Sequence, residues 1–278
     1  MNLKDVVNCD IQCCLQMNDT HSSDLQRRIH PDIDFCYNSI NLVVGRRGSG
    51  KTFNVFRQLA LLSRIPSLFH MIVYITNNKN NDQTYRKFQS LIKIPIKIVS
   101  YEESEEFLIT LRTYKQRYDN VINGVEDNET NPQEILDFLC IDGFRYPYLF
   151  TVVLYDDALN VFQKKKSEEY RMIFDNRHNK ISYFFCIQDA SGISTDIKNN
   201  ADSIWLFGGL SKQKFDHLMY QVHFSADRDE IWEFYKRINK QEAILADMLS
   251  DFVRFVDKDG NVIPFLKDDD GILPEEDY

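Results

Sequence analysis

Short apolar runs rich in β-branched and aromatic residues recur along the chain at 40–44, 71–75, 96–99, 149–155, 182–187 and 203–207, each followed by a longer stretch of helical character. A strand that is apolar on both faces must be covered on both, and strands that alternate with helices form parallel sheets. The pattern therefore predicts an α/β fold with a mostly parallel central sheet flanked by helices on both faces. Between Glu103 and Val121, Phe107, Leu108, Leu111 and Tyr114 recur three or four residues apart, the spacing of an amphipathic helix. The tract NGVEDNETNPQE after it reads as a surface loop. Residues 231–238 and 243–249 predict two terminal helices, and 252–256 a last strand. Residues 1–38 carry no sustained period and read as an arm, 39–265 as the main domain, and 266–278 as an acidic tail without structure.

A chain of 278 residues fits one large domain with appendages better than two equal ones. No apolar run approaches the roughly 20 residues of a membrane helix, so no membrane span is expected. The opening MNLKDVVNCD lacks the basic-then-apolar layout of a signal peptide, which points to a cytoplasm-like compartment. The six cysteines are unevenly placed and read as reduced thiols. Of the nine excess negative charges, six sit in the last eleven residues, so the body carries only −3. Such a body does not coat nucleic acid electrostatically, although a few loops can still grip DNA inside a ring.

The first chemistry lies at Gly45 to Thr52, GRRGSGKT, between the strand INLVV and a helix opening at Lys51. A loop that wraps phosphate turns its backbone N–H groups inward, often at positive φ, which Gly45, Gly48 and Gly50 can adopt. The helix N-terminus adds donors and partial positive charge. The pattern G-x-x-x-x-G-K-[ST] thus assigns Gly45, Arg46, Arg47, Gly48, Ser49, Gly50, Lys51, Thr52 and Phe53 to nucleotide binding. Lys51 is set to reach the β- and γ-phosphates, and the Thr52 hydroxyl to ligate Mg²⁺.

Hydrolysis also needs a metal anchor and a group that orients water. The run YLFTVVLYDD ends a buried strand in Asp156 and Asp157, at the strand end where α/β sheets bind ligands. We assign Asp156 to the Mg²⁺ shell and Asp157 to the general-base or water-polarising role; the plainer alternative is a pair of turn caps. Gln188 closes SYFFCIQ, where it can reach the γ-phosphate or the water, or be an ordinary loop residue. Together these features suggest that the Gln188 strand lies between the loop strand and the Asp strand. Arg177 precedes it in DNRHNKIS and is either an exposed arginine or a finger acting on a neighbouring subunit's phosphate. Lys164, Lys165 and Lys166 read as a solvated run or a contact to DNA backbone, and Cys9, Cys13, Cys14 and His21 are poorly spaced for zinc.

In the order GRRGSGKT, YITNN, VVLYDD, RHNKIS, FFCIQD and NNADSIWLF, the sequence resembles the genome-packaging ATPases of large DNA viruses and virophages, the poxvirus-like branch of the FtsK/HerA superfamily of P-loop enzymes. The resemblance spans roughly 40–207. It implies a RecA-like NTPase of the ASCE type that forms a ring, a pentamer or hexamer, and uses ATP and Mg²⁺ to pull double-stranded DNA into a preformed capsid. It also implies capsid proteins as partners, and the host cytoplasm, in viral factories, and the virion as places of work. Carried over residue by residue, it implies Lys51 and Thr52 for nucleotide and Mg²⁺, Asp156 and Asp157 as the acidic pair, Gln188 as sensor and Arg177 as a finger. Many relatives carry Glu where this chain has Asp157.

The cradle also admits two other readings. A kinase acting on a nucleotide or small molecule usually has an arginine-rich lid, and no such cluster is readable. A GTPase-type switch would carry N-K-x-D, but Asn78 and Lys79 are followed by Asn80 and Asn81.

Overall fold

The structure, a computed structural model, describes residues 28–30, 33–36, 38–64, 68–77, 83–125, 131–146, 149–157, 167–188, 190–222, 227–248, 252–258, 262–268 and 271–274. A hairpin of β1 (Arg28–His30) and β2 (Ile33–Cys36) comes first. The main body runs β3 (Ile40–Val44), α1 (Lys51–Leu62), β4 (Met71–Ile75), α2 (Gln83–Gln89), β5 (Ile96–Val99), α3 (Ser104–Ile122), α4 (Pro132–Leu139) and β6 (Thr151–Asp156). It continues through α5 (Glu168–Phe174), α6 (Asn176–Asn179), β7 (Ile181–Ile187), α7 (Thr195–Asn199), β8 (Ser203–Phe207), α8 (Lys212–Gln221) and α9 (Arg228–Tyr235). Four strands close it, β9 (Ala243–Asp247), β10 (Phe252–Val256), β11 (Val262–Asp268) and β12 (Gly271–Pro274).

One ten-stranded sheet organises these elements, in the order β12-β11-β10-β9-β8-β3-β7-β6-β4-β5. The six strands from β8 to β5 are parallel, as their two-sided apolar runs require. The last four extend the β8 edge antiparallel. Successive residues of each central strand serve opposite faces. Ile40, Leu42 and Val44 join a core with Leu108 and Leu111 of α3, Met172 of α5 and Phe215 and Leu218 of α8. Val43 joins the other core with Val55, Phe56 and Leu59 of α1 and Phe88 of α2. β7 lies between β3 and β6, the arrangement suggested by the three strand-end motifs.

Three sequence readings are corrected. Residues 243–249 do not continue as a helix: Ala243–Asp247 is a fully buried strand paired with both β8 and β10. So short an apolar run, Ala243 to Ala246, cannot declare its period, and the ladders on either side settle the matter by satisfying its backbone. The loop read from NGVEDNETNPQE ends early, because Asn131 caps α4 by accepting from Gln133 N and Pro132 suits the first turn. The hairpin β11–β12 takes in part of the expected acidic tail, and β1–β2 part of the expected arm. The candidate zinc residues and Lys164, Lys165 and Lys166 lie outside the described residues. Among the described residues no helix is long and apolar enough to cross a membrane, and Cys140 and Cys186 are free thiols.

One buried group sets a pH response. His70 Nδ1 lies 2.8 Å from Phe150 O, and since a carbonyl only accepts, Nδ1 carries the proton of a neutral ring. Its Nε2 is buried with no hydrogen-bond partner in the structure described. Burial, with Lys115 nearby as a lesser cause, lowers its pKa to about 3, whereas the unfolded chain takes up this proton near 6.5. Below pH 6.5 the unfolded state thus binds the proton more tightly, and stability falls as pH drops toward 3. At pH 5 this group is expected to cost about 2 kcal/mol relative to pH 7. Urea unfolding of His70→Gln between pH 7 and 5 should lose that much less than the parent; parallel profiles would refute the assignment.

Candidate active site

The site grows from the carboxyl end of β3. Gly45 N donates to Ile187 O at 3.0 Å, which carries the pairing with β7 one residue past the strand. The chain then turns, with Ser49 N donating to Arg46 O at 3.1 Å. Gly48 and Gly50 have φ of 73° and 88°, left-handed values that side chains with a Cβ resist. Gly50 is the N-cap of α1 and offers no capping side chain, so the first N–H groups of a twelve-residue helix face the loop with the positive end of its dipole. Lys51 is buried and folds back to donate to Gly45 O at 2.7 Å and Arg46 O at 3.1 Å. Burial lowers its pKa, while Cys186, Asp156 and Asp157 work in the opposite direction. The Ser49 hydroxyl is buried and lacks a hydrogen-bond partner in the structure described. Arg46 and Arg47 are exposed on the loop, and Phe53 packs edge-on against Phe88 at 5.0 Å between ring centroids.

The two carboxylates come to this loop from β6, two strands away. Asp156 accepts from Thr52 Oγ1 at 2.6 Å on one oxygen and from Tyr74 OH at 3.1 Å on the other, and its carbonyl accepts from Tyr101 OH. Both oxygens and the backbone of Asp156 are therefore engaged. Asp157 differs in every respect: it is exposed, its backbone is left-handed at φ 65°, and its N–H is tied to Cys186 O at 2.8 Å. Gln188 Nε2 lies 2.8 Å from each of its carboxylate oxygens. Parallel strands end together, so β3, β7 and β6 bring loop, glutamine and aspartates to one edge of the sheet.

Arg177 does not join them. It is exposed on the short α6, at the amino end of β7, whereas Gln188 follows the carboxyl end of that seven-residue strand. The two ends are separated by roughly 20 Å of extended chain. Sequence reasoning missed Tyr74 and Tyr101, whose hydroxyls hold Asp156, because Tyr74 sits in an apolar strand and looks like core, and Tyr101 lies in the turn after β5 outside every motif. It also missed Thr84, Gln241 and Lys258, which line a cleft of about 440 Å³ together with Gly48, Gly50, Lys51, Thr52, Phe53 and Asn54. These residues come from α2 and from turns of the antiparallel half, and no motif links them to the loop.

The donor set fits a nucleotide with Mg²⁺. Thr52 and Asp156 present hard oxygens 2.6 Å apart beside a helix N-terminus. Among the described residues no cluster of three or more acidic, His or Cys ligands exists that would cage a metal alone. A cation would then be shared with phosphate oxygens, which is the usual manner of Mg²⁺. The orphaned Ser49 hydroxyl inside the loop is a further group that phosphate oxygen would satisfy.

No family model matches the sequence, and no curated protein matches it either. Solved structures match its fold. The genome packaging NTPase B204 of Sulfolobus turreted icosahedral virus 2, in complex with AMPPCP, is similar with a TM-score of 0.53 at 13% identity, over 78% of this chain and 96% of that one. B204 described as the DNA-packaging ATPase of Sulfolobus turreted icosahedral virus is similar with a TM-score of 0.50 at 14% identity, with the same coverage. The chain thus shares the fold of these structures.

Proposed function

We propose that this chain is an ATP-hydrolysing DNA translocase that packages double-stranded viral DNA into a preformed capsid, working as a ring of identical subunits. The observation that carries the reading is the meeting of Thr52 with Asp156, and of Gln188 with Asp157, at the mouth of the glycine loop. In this reading the loop N–H groups and Lys51 bind the phosphates, and Thr52 and Asp156 would hold Mg²⁺. The bound ion would supply charge neutralisation on the phosphate oxygens. Asp157 takes up the proton of the attacking water, and the Gln188 amide keeps that carboxylate aimed. A nearly neutral body supports a motor that touches DNA through a few loops per subunit, and the acidic tail offers a surface for a capsid protein. Such a motor would work in the cytoplasm of an infected cell.

ATP turnover by the purified full chain, with and without duplex DNA at low salt, tests the proposal. Several-fold stimulation by DNA in an oligomer is expected. Lys51→Ala should abolish turnover, with a loss of at least about a hundredfold. A protein that stays monomeric and whose turnover ignores DNA would defeat the motor reading, and phosphate transfer to a nucleoside or nucleotide instead of water would replace it with a kinase.

A further inference from the structure

We propose that Lys240, in the turn between α9 and β9, is a second phosphate-binding residue of the nucleotide site, delivered in cis by the antiparallel half of the sheet. The proposal rests on the reading of the glycine loop as a nucleotide cradle. The turn is closed on itself: Glu242 N donates to Asn239 O at 3.1 Å, and Glu242 Oε2 accepts from Asn239 N at 2.7 Å and from Asn239 Nδ2 at 3.0 Å. It is also fastened to the end of β8, since Gly208 N donates to Glu242 O at 2.9 Å. A Cβ on Gly208 would lie 2.3 Å from Asn239 O, so only glycine lets the turn come this close. Because β8 is the strand next to β3, this fastening places the turn beside the loop that follows β3.

From that platform Lys240 reaches the crest of the cradle. A Cβ on Gly48 would come within 3.5 Å of Lys240 Nζ. Lys240 is exposed and forms no ion pair among the described residues. Its ammonium is close enough to that of Lys51 for the two charges to interact. Two cations aimed at one loop repel each other, and an anion between them turns that cost into attraction. Its neighbour Gln241 lines the cleft beside the loop, as does Lys258 in the turn after β10. Cationic groups thus flank the loop, with Lys51 and Lys258 lining the cleft and Lys240 over Gly48, and the ligand class that fits is the di- or triphosphate chain of a nucleotide.

Calorimetric titration of the full chain with ATP and ADP, in Mg²⁺ at low and at 0.5 M salt (about 3-fold shorter screening length than at low salt), tests this. Lys240→Ala should weaken both about tenfold at low salt, with the gap narrowing at high salt, and Lys240→Arg should stay close to the parent. Lys51→Ala, which should lose binding, calibrates the cradle itself. If the parent binds ATP, Lys51→Ala does not, and Lys240→Ala binds like the parent, then Lys240 is no ligand while the nucleotide reading stands. If the parent binds no nucleotide, the cradle reading fails and takes Lys240 with it. Loss in Lys240→Ala that is equal at both salt concentrations, or shared by Lys240→Arg, would also overturn the proposal.

Discussion

Asp157→Asn is expected to lower ATP turnover by about 10²- to 10⁴-fold, the range for loss of a positioned general base, while ATP affinity stays within about threefold of the parent. The expectation follows from the division of labour between the two aspartates. Asp156 is bound on both oxygens by Thr52 and Tyr74 and on its carbonyl by Tyr101, so it has the surroundings of an anchor. Asp157 is exposed and meets a single amide, that of Gln188, which leaves room on the carboxylate for water. The substitution is mild for the fold, because Asn tolerates the left-handed backbone found at φ 65° and its N–H still reaches Cys186 O. Asp156→Asn should behave differently: it weakens Mg²⁺-dependent binding as well as turnover. Single-turnover hydrolysis and calorimetry on both variants separate the two roles. An Asp157→Asn enzyme that keeps more than about a tenth of parental turnover would mean that another group activates the water.

Much of this site is legible in the sequence, and for a physical reason. A parallel sheet buries its strands on both faces, so each central strand announces itself as an uninterrupted apolar run, and the first polar residue after it marks the functional edge. Val44 to Gly45, Tyr155 to Asp156 and Ile187 to Gln188 are such transitions, and all three lie at one edge. Legibility fails where that signal is missing. β9 is short and apolar like the others, but its antiparallel partners lie on both sides, a fact about pairing that a period cannot carry. Tyr74 serves the site through one hydroxyl while the rest of its surface is core, and Tyr101 does so from a turn, so composition hides both. Lys240, Gln241 and Lys258 lie far downstream of Lys51 in the chain, and only the folding of β9 and β10 onto β8 brings them back to the loop.

Mixing two inactive variants should restore activity if the ring closes each site with its neighbour's Arg177. Within one chain this arginine cannot reach the phosphates. It sits on α6 at the amino end of β7, while the cradle, Asp157 and Gln188 occupy the carboxyl end. A side chain spans about 7 Å at most against a strand length of roughly 20 Å, so an effect of Arg177 on chemistry must act across an interface. Arginines supplied in this way are worth about 10³ to 10⁵ in rate in known phosphoryl-transfer enzymes, and Arg177→Ala alone should fall by a comparable factor. In a ring assembled from equal amounts of Arg177→Ala and Lys51→Ala subunits, about a quarter of the interfaces join an intact cradle to an intact arginine, and turnover should recover toward that fraction. A mixture as inactive as its components, with oligomer size unchanged, would remove Arg177 from the catalytic set. Full turnover by Arg177→Ala on its own would do the same, leaving the residue as an ordinary exposed arginine next to a strand.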